Sequence, residues 1–159
     1  MFGENPMRKF DAIISLVTFI LLSSNVYSDT KNSSETNAVG QPGDANQVSR
    51  TVKLTQVDNM FLPDEMTIKE GETIRFVVKN GGNKKHEMLI GSKEDLKKAA
   101  HVRRMYPDRE HTESYLLQLE PGEQKELIWH FAQVGTVEYA CPLPGHFKKM
   151  RGTIIVERE

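Results

Sequence analysis

Residues 73–83 read Thr-Ile-Arg-Phe-Val-Val-Lys-Asn-Gly-Gly-Asn, and this stretch carries the pattern that decides the fold. Ile74, Phe76 and Val78 fall at every second position, which is the period of a β-strand with one buried face. The residues that follow, 80–83, are rich in Asn and Gly and predict a turn. The stretch therefore predicts a strand that ends in a turn and is followed by a second strand.

The same two-residue period recurs on both sides of this strand, from Arg50 to the C-terminus. Turn signals separate the segments, for example Glu70-Gly71-Glu72 and Pro121-Gly122-Glu123. Short alternating strands with regular turns predict an all-β, antiparallel β-sandwich. The inward-facing apolar rows are Val52 and Leu54; Met66 and Ile68; His86, Met88 and Ile90; Leu117 and Leu119; Leu127, Trp129 and Phe131; Val137, Tyr139 and Cys141.

One segment departs from this pattern and predicts an inserted helix at about residues 92–106. Ser92 is a good N-cap, and Glu94 and Asp95 place negative charge in the first turn. Arg103 and Arg104 place positive charge near its end, where the helix dipole favours it. Pro107 then stops the helix.

Composition excludes several classes of protein. The chain has 159 residues with 21 basic and 22 acidic side chains, a formal net charge of −1. This balance argues against a protein that binds nucleic acid through bulk positive charge. A single cysteine, Cys141, excludes an intrachain disulfide framework and a zinc site built from several thiolates.

The N-terminus predicts export. Basic Arg8 and Lys9 precede an apolar run, and Val26-Tyr27-Ser28 resembles a cleavage site, so residues 1–28 are predicted to be a signal peptide. A retained anchor is the alternative, but the run is shorter than the about 20 residues that span a bilayer. We expect a mature protein in the periplasm, without stable membrane insertion after cleavage. Polar residues 29–49 predict a disordered linker and residues 50–159 the folded domain.

A short loop between two predicted strands carries the chemically informative residues. Cys141, His146 and Met150 lie within it, and His86 begins an inward-facing row upstream. A thiol, two imidazoles and a thioether form a soft ligand set, which is typical of a blue-copper site. Taken singly, each residue is more often core or surface filler. Together, and with a thiol left unpaired in an exported chain, they favour a metal site.

A second group is less specific. His101 and Met105 lie four residues apart on the predicted helix. The family resemblance described below implies that His111 and Met60 are loosely nearby, so these residues could form a second, softer copper site. A helix with one solvated histidine and one core methionine explains the same spacing.

These residues give the chain a family resemblance. It resembles the cupredoxins, with the Cys-x4-His-x3-Met spacing of azurin and an upstream histidine after a Gly/Asn turn. The wider sequence resembles more closely the exported cupredoxins of bacterial copper tolerance. The resemblance implies a Greek-key sandwich and one type 1 copper, with His86, Cys141 and His146 as equatorial ligands and Met150 as the axial ligand. The blocks that carry it are 60–63, 69–76, 85–88, 120–123 and 144–147.

Two departures from the family pattern concern the predicted site. Lys148 and Lys149 shorten the loop before Met150 relative to the copper-tolerance relatives. Glu87 stands where azurin and plastocyanin have Asn, and a carboxylate there is expected to favour Cu(II) over Cu(I). The backbone N–H of Glu87 can donate to the Cys141 sulfur, whereas Pro142 has no N–H to donate.

We therefore expect an exported blue copper protein that transfers one electron, handles copper in copper tolerance, or both. It is expected to act as a monomeric carrier or copper-binding protein rather than as an enzyme. A redox partner is expected to dock near His146, steered by Lys148, Lys149 and Arg151. The alternatives are a metal-free interaction domain of the same fold, a Cu(I)-scavenging protein, and a copper enzyme with a second metal centre.

Overall fold

The stretch at 73–80 forms the central strand of one sheet, as its alternation predicts. The computed structural model describes Gly3 and residues 40–113 and 115–158. The elements all lie within Ser33–Glu159, one of two units into which the chain divides. The predicted signal peptide at 1–28 and residues 29–39 of the predicted linker are outside the described residues, Gly3 excepted.

The described residues form two five-stranded sheets and one α-helix. The elements in chain order are β1 (Gln41–Pro42), β2 (Arg50–Val57), β3 (Met60–Leu62), β4 (Glu65–Lys69), β5 (Thr73–Asn80), β6 (His86–Gly91), α1 (Lys93–Met105), β7 (Leu116–Leu119), β8 (Gln124–His130), β9 (Gly135–Ala140) and β10 (Arg151–Glu157). The strand order is β1-β8-β5-β2-β3 in the first sheet and β4-β10-β9-β6-β7 in the second.

The two-sheet β-sandwich with one inserted helix is confirmed. Its sheets are mixed rather than wholly antiparallel, because β2 pairs with β5 and β4 pairs with β10 in parallel. Parallel neighbours need a crossover connection rather than a hairpin. Here β4, which belongs to the other sheet, lies in the chain between β2 and β5, so the chain returns to the first sheet in its original direction.

The inward-facing residues of both sheets form one apolar core. Phe61 packs edge-on against Tyr139 with ring centroids 5.0 Å apart, and Phe76 packs edge-on against Phe131 at 6.2 Å. Both contacts use the T-shaped geometry that aromatic pairs favour. The alternating rows identified in the sequence supply most of this core, including Leu54, Ile74, Phe76, Val78, Met88, Ile90, Leu119, Trp129, Val137, Tyr139 and Ile154.

Residues 40–49 differ from the disordered linker that their polar composition predicts. Gln41 and Pro42 pair with the outer edge of β8, and Ala45–Gln47 form a 3₁₀ turn. An edge strand is held by backbone hydrogen bonds, so it needs no apolar side chains. Gly40, with φ of +96°, permits the close approach: a Cβ there would lie 2.4 Å from the His130 carbonyl oxygen.

Helix α1 packs on β6 and β9 of the second sheet. Ser92 caps its N-terminus by accepting a hydrogen bond from the Asp95 N–H at 3.1 Å. The helix buries Leu96 against Leu89 and Ala140, and it also buries Arg103. Among the described residues, no helix combines the length and the apolar character needed to cross a membrane.

Candidate metal centre

His86 begins β6 and is fully buried. Its Nε2 lies 3.0 Å from Oδ1 of Asp58, which follows β2. The hydrogen bond from His86 lowers the pKa of Asp58, so this carboxyl is ionised at neutral pH and can only accept. A hydrogen bond to this carboxylate requires a proton on Nε2 of His86, which leaves Nδ1 as the ring nitrogen that faces His146.

The turn before β6 is built around this pair. The buried Asn80 side chain donates to the carbonyls of Lys84 and Leu119 and accepts from the N–H of Gly82. Gly82 lies directly against the pair, since a Cβ there would be 2.4 Å from Asp58 Oδ1 and 3.0 Å from His86 Nε2. A glycine at this turn position thus lets the carboxylate reach the imidazole.

Cys141 follows β9 and is a fully buried free thiol. Its backbone N–H donates to the Met150 carbonyl at 3.0 Å, which ties the loop ends together. Its Sγ accepts the Glu87 N–H at 3.4 Å, as the sequence predicts. Burial raises the pKa of the thiol to about 11, although the N–H groups of Glu87 and Leu143 act in the opposite direction. A bound cation would be needed to keep this sulfur as a thiolate near neutral pH.

His146 projects from the loop toward both of these residues. Its Nδ1 is 3.2 Å from His86 Nδ1 and 3.4 Å from Cys141 Sγ. Burial, followed by the proximity of His86 and Lys84, lowers its pKa, and Asp58 opposes this shift. The imidazole is therefore neutral at neutral pH, which is the form that coordinates metals.

One ligand atom from each of His86, Cys141 and His146 lies within 4.8 Å of the other two. In the part of the chain that the structure describes, this is the one group of three or more His, Cys, Asp or Glu donors that converges in this way. Two imidazoles and one thiol, set in a buried pocket, fit copper well because its ions favour nitrogen and soft sulfur donors. The residues present therefore fit the group that the sequence predicts.

Met150 lies at the end of the same loop and is fully buried. Its N–H donates to the His146 carbonyl at 2.9 Å, and its carbonyl accepts from Cys141. These two backbone hydrogen bonds fix the position of Met150 relative to His146 and Cys141. Its assignment as the axial ligand stays a prediction.

The residues of the second predicted group differ in their partners and in their exposure. His101 Nδ1 lies 3.0 Å from Arg104 Nη2, and Met105 is 55% exposed. His111 is half-buried and has no hydrogen-bond partner at Nε2. A softer copper site at these residues stays a prediction.

Arg103, Asp58 and Glu87 have contacts that sequence reasoning missed. Arg103 was expected to sit near the helix end for its effect on the dipole, but its side chain is 2% exposed and pairs with Glu87 at 2.5 Å. The signal was present in the helical period, because Arg103 falls seven positions after buried Leu96 and so shares its face. Asp58 lies in a turn, where no periodic pattern marks it.

Three basic residues near His146 differ in their exposure and in their partners. Lys148 and Lys149 are exposed, as the docking hypothesis requires. Arg151, in contrast, forms an ion pair with Glu138 and lies 5.4 Å above the Phe147 ring centroid. Its charge is therefore partly compensated.

Comparisons with known proteins agree with this geometry. Residues 12–156 match the family described as Cupredoxin-like domain. The chain is 40% identical over 119 residues to the copper-resistant cuproprotein CopI of Rubrivivax gelatinosus, covering 74% of this chain and 72% of that protein. It is 34% identical over 110 residues to CopI of Vibrio cholerae serotype O1, covering 68% and 65%. The solved structure of auracyanin B superposes with a TM-score of 0.61 at 20% identity, covering 76% of this chain and 98% of that one.

Proposed function

Because the chain belongs to the cupredoxin-like family, we propose that it is an exported copper-binding protein that handles copper in copper tolerance. The relatives named copper-resistant cuproproteins support this assignment. The observation that carries it is the convergence of ligand atoms from His86, Cys141 and His146 within 4.8 Å, with His86 and Cys141 buried and His146 partly exposed. These three residues would hold one copper ion, and Met150 would supply a fourth donor.

Each protein group has a distinct task in this proposal. Copper supplies a one-electron Cu(I)/Cu(II) couple when it is bound. Asp58 orients His86 through Nε2, the Glu87 N–H stabilises the thiolate, and the Cys141–Met150 backbone bond closes the loop. Such prior fixing of the donors limits the rearrangement between the two oxidation states.

We further propose that the protein exchanges single electrons with a redox partner. His146 is the partly exposed member of the group, so it offers the route between the pocket and a docked redox protein. Apolar Leu143, Pro144 and Phe147 line a cleft beside it, together with Lys97 and Lys148. A partner with an acidic, partly apolar surface would match this composition. We propose a monomeric carrier that is not itself an enzyme.

The periplasmic location is also part of the proposal. It rests on the basic and apolar segments of residues 1–28. A thiol that remains free at Cys141 in an oxidising compartment is consistent with protection by a bound metal.

A visible absorption spectrum with stoichiometric Cu(II) tests the proposal. The sample is the whole predicted mature chain, from residue 29 onward. An intense thiolate-to-copper band is expected, and Cys141→Ser should abolish it because a hydroxyl does not give this transition. A colourless protein with weak copper binding would contradict the proposal and favour a metal-free interaction domain or Cu(I) scavenging.

Deleting the protein in the producing cell distinguishes a role in copper tolerance from a role as an electron carrier. Loss of the protein should lower the copper concentration at which growth stops, and the Cys141→Ser variant should fail to restore it. A strain whose growth on copper is unaffected, but which loses a respiratory activity, would support the carrier alone.

A further inference from the structure

A buried ion pair joins α1 to the strand that carries His86. The side chains of Arg103 and Glu87 are each 2% exposed, and Arg103 Nε donates to Glu87 Oε2 at 2.5 Å. Burying two charges is costly even when they are paired. An apolar residue at position 103 could dock the helix without that cost. Helix packing alone therefore does not account for the pair.

The Glu87 carboxylate is held at both oxygens. Oε2 accepts from Arg103, and Oε1 accepts from Gln118 Nε2 at 3.1 Å. The outer end of the Arg103 guanidinium reaches Glu113 Oε1 at 3.4 Å, a carboxyl that is 31% exposed. The side chain of Glu87 is thus locked in place, and its charge is matched inside the protein by Arg103.

Glu87 also connects directly to the candidate metal centre. Its backbone N–H donates to Cys141 Sγ, and its chain neighbour is His86. The Glu87 carboxylate belongs to the residue whose N–H contacts this sulfur, and Arg103 is paired with that carboxylate. Both charges therefore lie near a thiolate at this position.

We propose that Arg103 is a positioning residue for the metal centre, which cancels the charge of Glu87 beside the thiolate and holds the Glu87 N–H on the Cys141 sulfur. This inference rests on the proposed function. It alters the expectation drawn from Glu87 alone: with Arg103 in place, the carboxylate does not act as an uncompensated charge that favours Cu(II). The inserted helix thereby becomes part of the site although it supplies no ligand.

Three variants of the mature chain test the inference: Arg103→Met, Glu87→Gln and the double variant. The readouts are the position of the thiolate-to-copper band and the ratio of Cu(II) to Cu(I) affinity, obtained from the reduction potential. Arg103→Met leaves a bare carboxylate and should raise that ratio at least tenfold, which lowers the potential of a one-electron couple by about 59 mV. Glu87→Gln should shift the ratio in the opposite direction. The double variant should return to within about threefold of the wild type, because neither charge is left.

The exposed pair of Arg75 and Glu126, on the other sheet, provides the matched control. Its side chains are 33% and 47% exposed, so Arg75→Met should leave both band and ratio unchanged. Unfolding of the copper-free variants by urea separates a folding defect from tuning. If Arg103→Met does not fold, Glu87→Gln, which keeps the hydrogen-bonding shape, decides the question alone.

The outcomes distinguish this inference from the proposed function. A wild-type band with ratios unchanged in Arg103→Met and Glu87→Gln would overturn the inference and leave Arg103 as a helix anchor only. A shift of the same sign in both single variants would also overturn it. If the wild-type chain shows no thiolate-to-copper band, the proposed function fails and the inference fails with it.

Discussion

Asp58 holds the buried imidazole of His86 in one orientation through a contact with its Nε2. The carboxylate fixes the proton on Nε2, and Gly82 leaves the space for this contact. A carboxylate behind a ligating imidazole makes the imidazole a stronger donor and fixes its orientation. In the proposed site, this arrangement would therefore favour retention of Cu(II).

Replacing Asp58 with Asn tests this contribution. We expect Asp58→Asn to lower Cu(II) affinity by about 10- to 100-fold, because a neutral amide polarises the imidazole less. Competition with a chelator of known affinity measures the change. The exposed Asp108→Asn serves as the matched control and should stay within about twofold. Equal affinities for wild type and Asp58→Asn would show that the carboxylate is dispensable.

At this scale the sequence predicted the converging residues well and their supporting residues poorly. His86 and Cys141 each lie in an alternating row, so strand period alone aims them inward. Asp58 lies in a turn, and its contact with His86 depends on the three-dimensional arrangement of two strands and the 80–83 turn. No local sequence pattern encodes this arrangement.

At the scale of the elements, a forked ion pair connects β2 to the turn before β5. Arg50 donates to both carboxylate oxygens of Glu72 at 2.9 and 3.2 Å, and Glu72 also accepts the Lys69 N–H at 2.8 Å. These bonds, led by that from Arg50, lower the pKa of Glu72 below 4.5. A lowered pKa in the folded state stabilises the fold above the unfolded pKa and ceases to do so as the pH falls through the folded value.

The variant Glu72→Gln should therefore destabilise the protein in a pH-dependent way. We expect a loss of about 1 kcal/mol in the free energy of unfolding at neutral pH, since Arg50 is partly exposed and solvent weakens the pair. The difference from wild type should shrink as the pH falls below 4.5. Urea denaturation of the copper-free chain at several pH values measures it.

Glu70→Gln is the control for this prediction. Glu70 is nearby, and its side chain makes a 3.6 Å contact with highly exposed Arg158. Its removal should change stability little at any pH. A loss for Glu72→Gln that does not depend on pH would mean that shape, rather than charge, accounts for its effect.

Among the elements, those with strong local periodicity were predicted and the edge strand was not. The helix was predicted at 92–106 and is observed at Lys93–Met105, because its cap, first-turn charges and proline stop are all local signals. Strand β1 carries no apolar alternation, since an edge strand of two residues depends on backbone pairing with β8. Arg103 was assigned to the end of the helix rather than to its buried face for a related reason. Charge was the obvious feature, and the partner Glu87 is distant in sequence.

At the scale of the whole molecule, positive and negative charges nearly cancel in number but are unevenly distributed. The formal net charge is −1. Exposed Lys148 and Lys149 nevertheless lie beside His146, whereas Arg151 is occupied by Glu138 and Phe147. We therefore expect a positive local potential where electrons would enter or leave the pocket.

Small charged oxidants can measure this potential without an identified partner. In the reduced copper protein, Lys148→Glu/Lys149→Glu should slow oxidation by hexacyanoferrate(III) about three- to tenfold at low salt. The same variant should accelerate oxidation by a cationic cobalt complex, and added salt should diminish both effects.

Lys53→Glu/Arg158→Glu makes the same change of net charge away from His146. It should alter both rates far less than the reversal at 148 and 149. Identical effects of the two double variants would show that only total charge matters and would contradict local steering.

The topology of the sheets was the part of the fold that residue patterns conveyed least. Alternation marks each strand and its inner face, but it is silent about which strand becomes its neighbour. The parallel pairs β2–β5 and β4–β10 arise from crossings between the sheets, and these depend on three-dimensional packing. The sandwich itself was predictable because apolar rows of this kind require a second sheet to cover them.

The pairing of β10 with both β4 and β9 bears on the order in which the protein matures. β10 is the C-terminal strand among the described residues, and it completes a sheet whose edge strand, β4, lies much earlier in the chain. Contacts between such distant segments form slowly because a long loop must close first. Cys141, His146 and Met150 all lie just before β10, so the proposed metal pocket is expected to close only after β10 has been synthesised and paired. Acquisition of colour with copper would then report that β10 is in place, and a chain cut short before β10 would be expected to remain colourless.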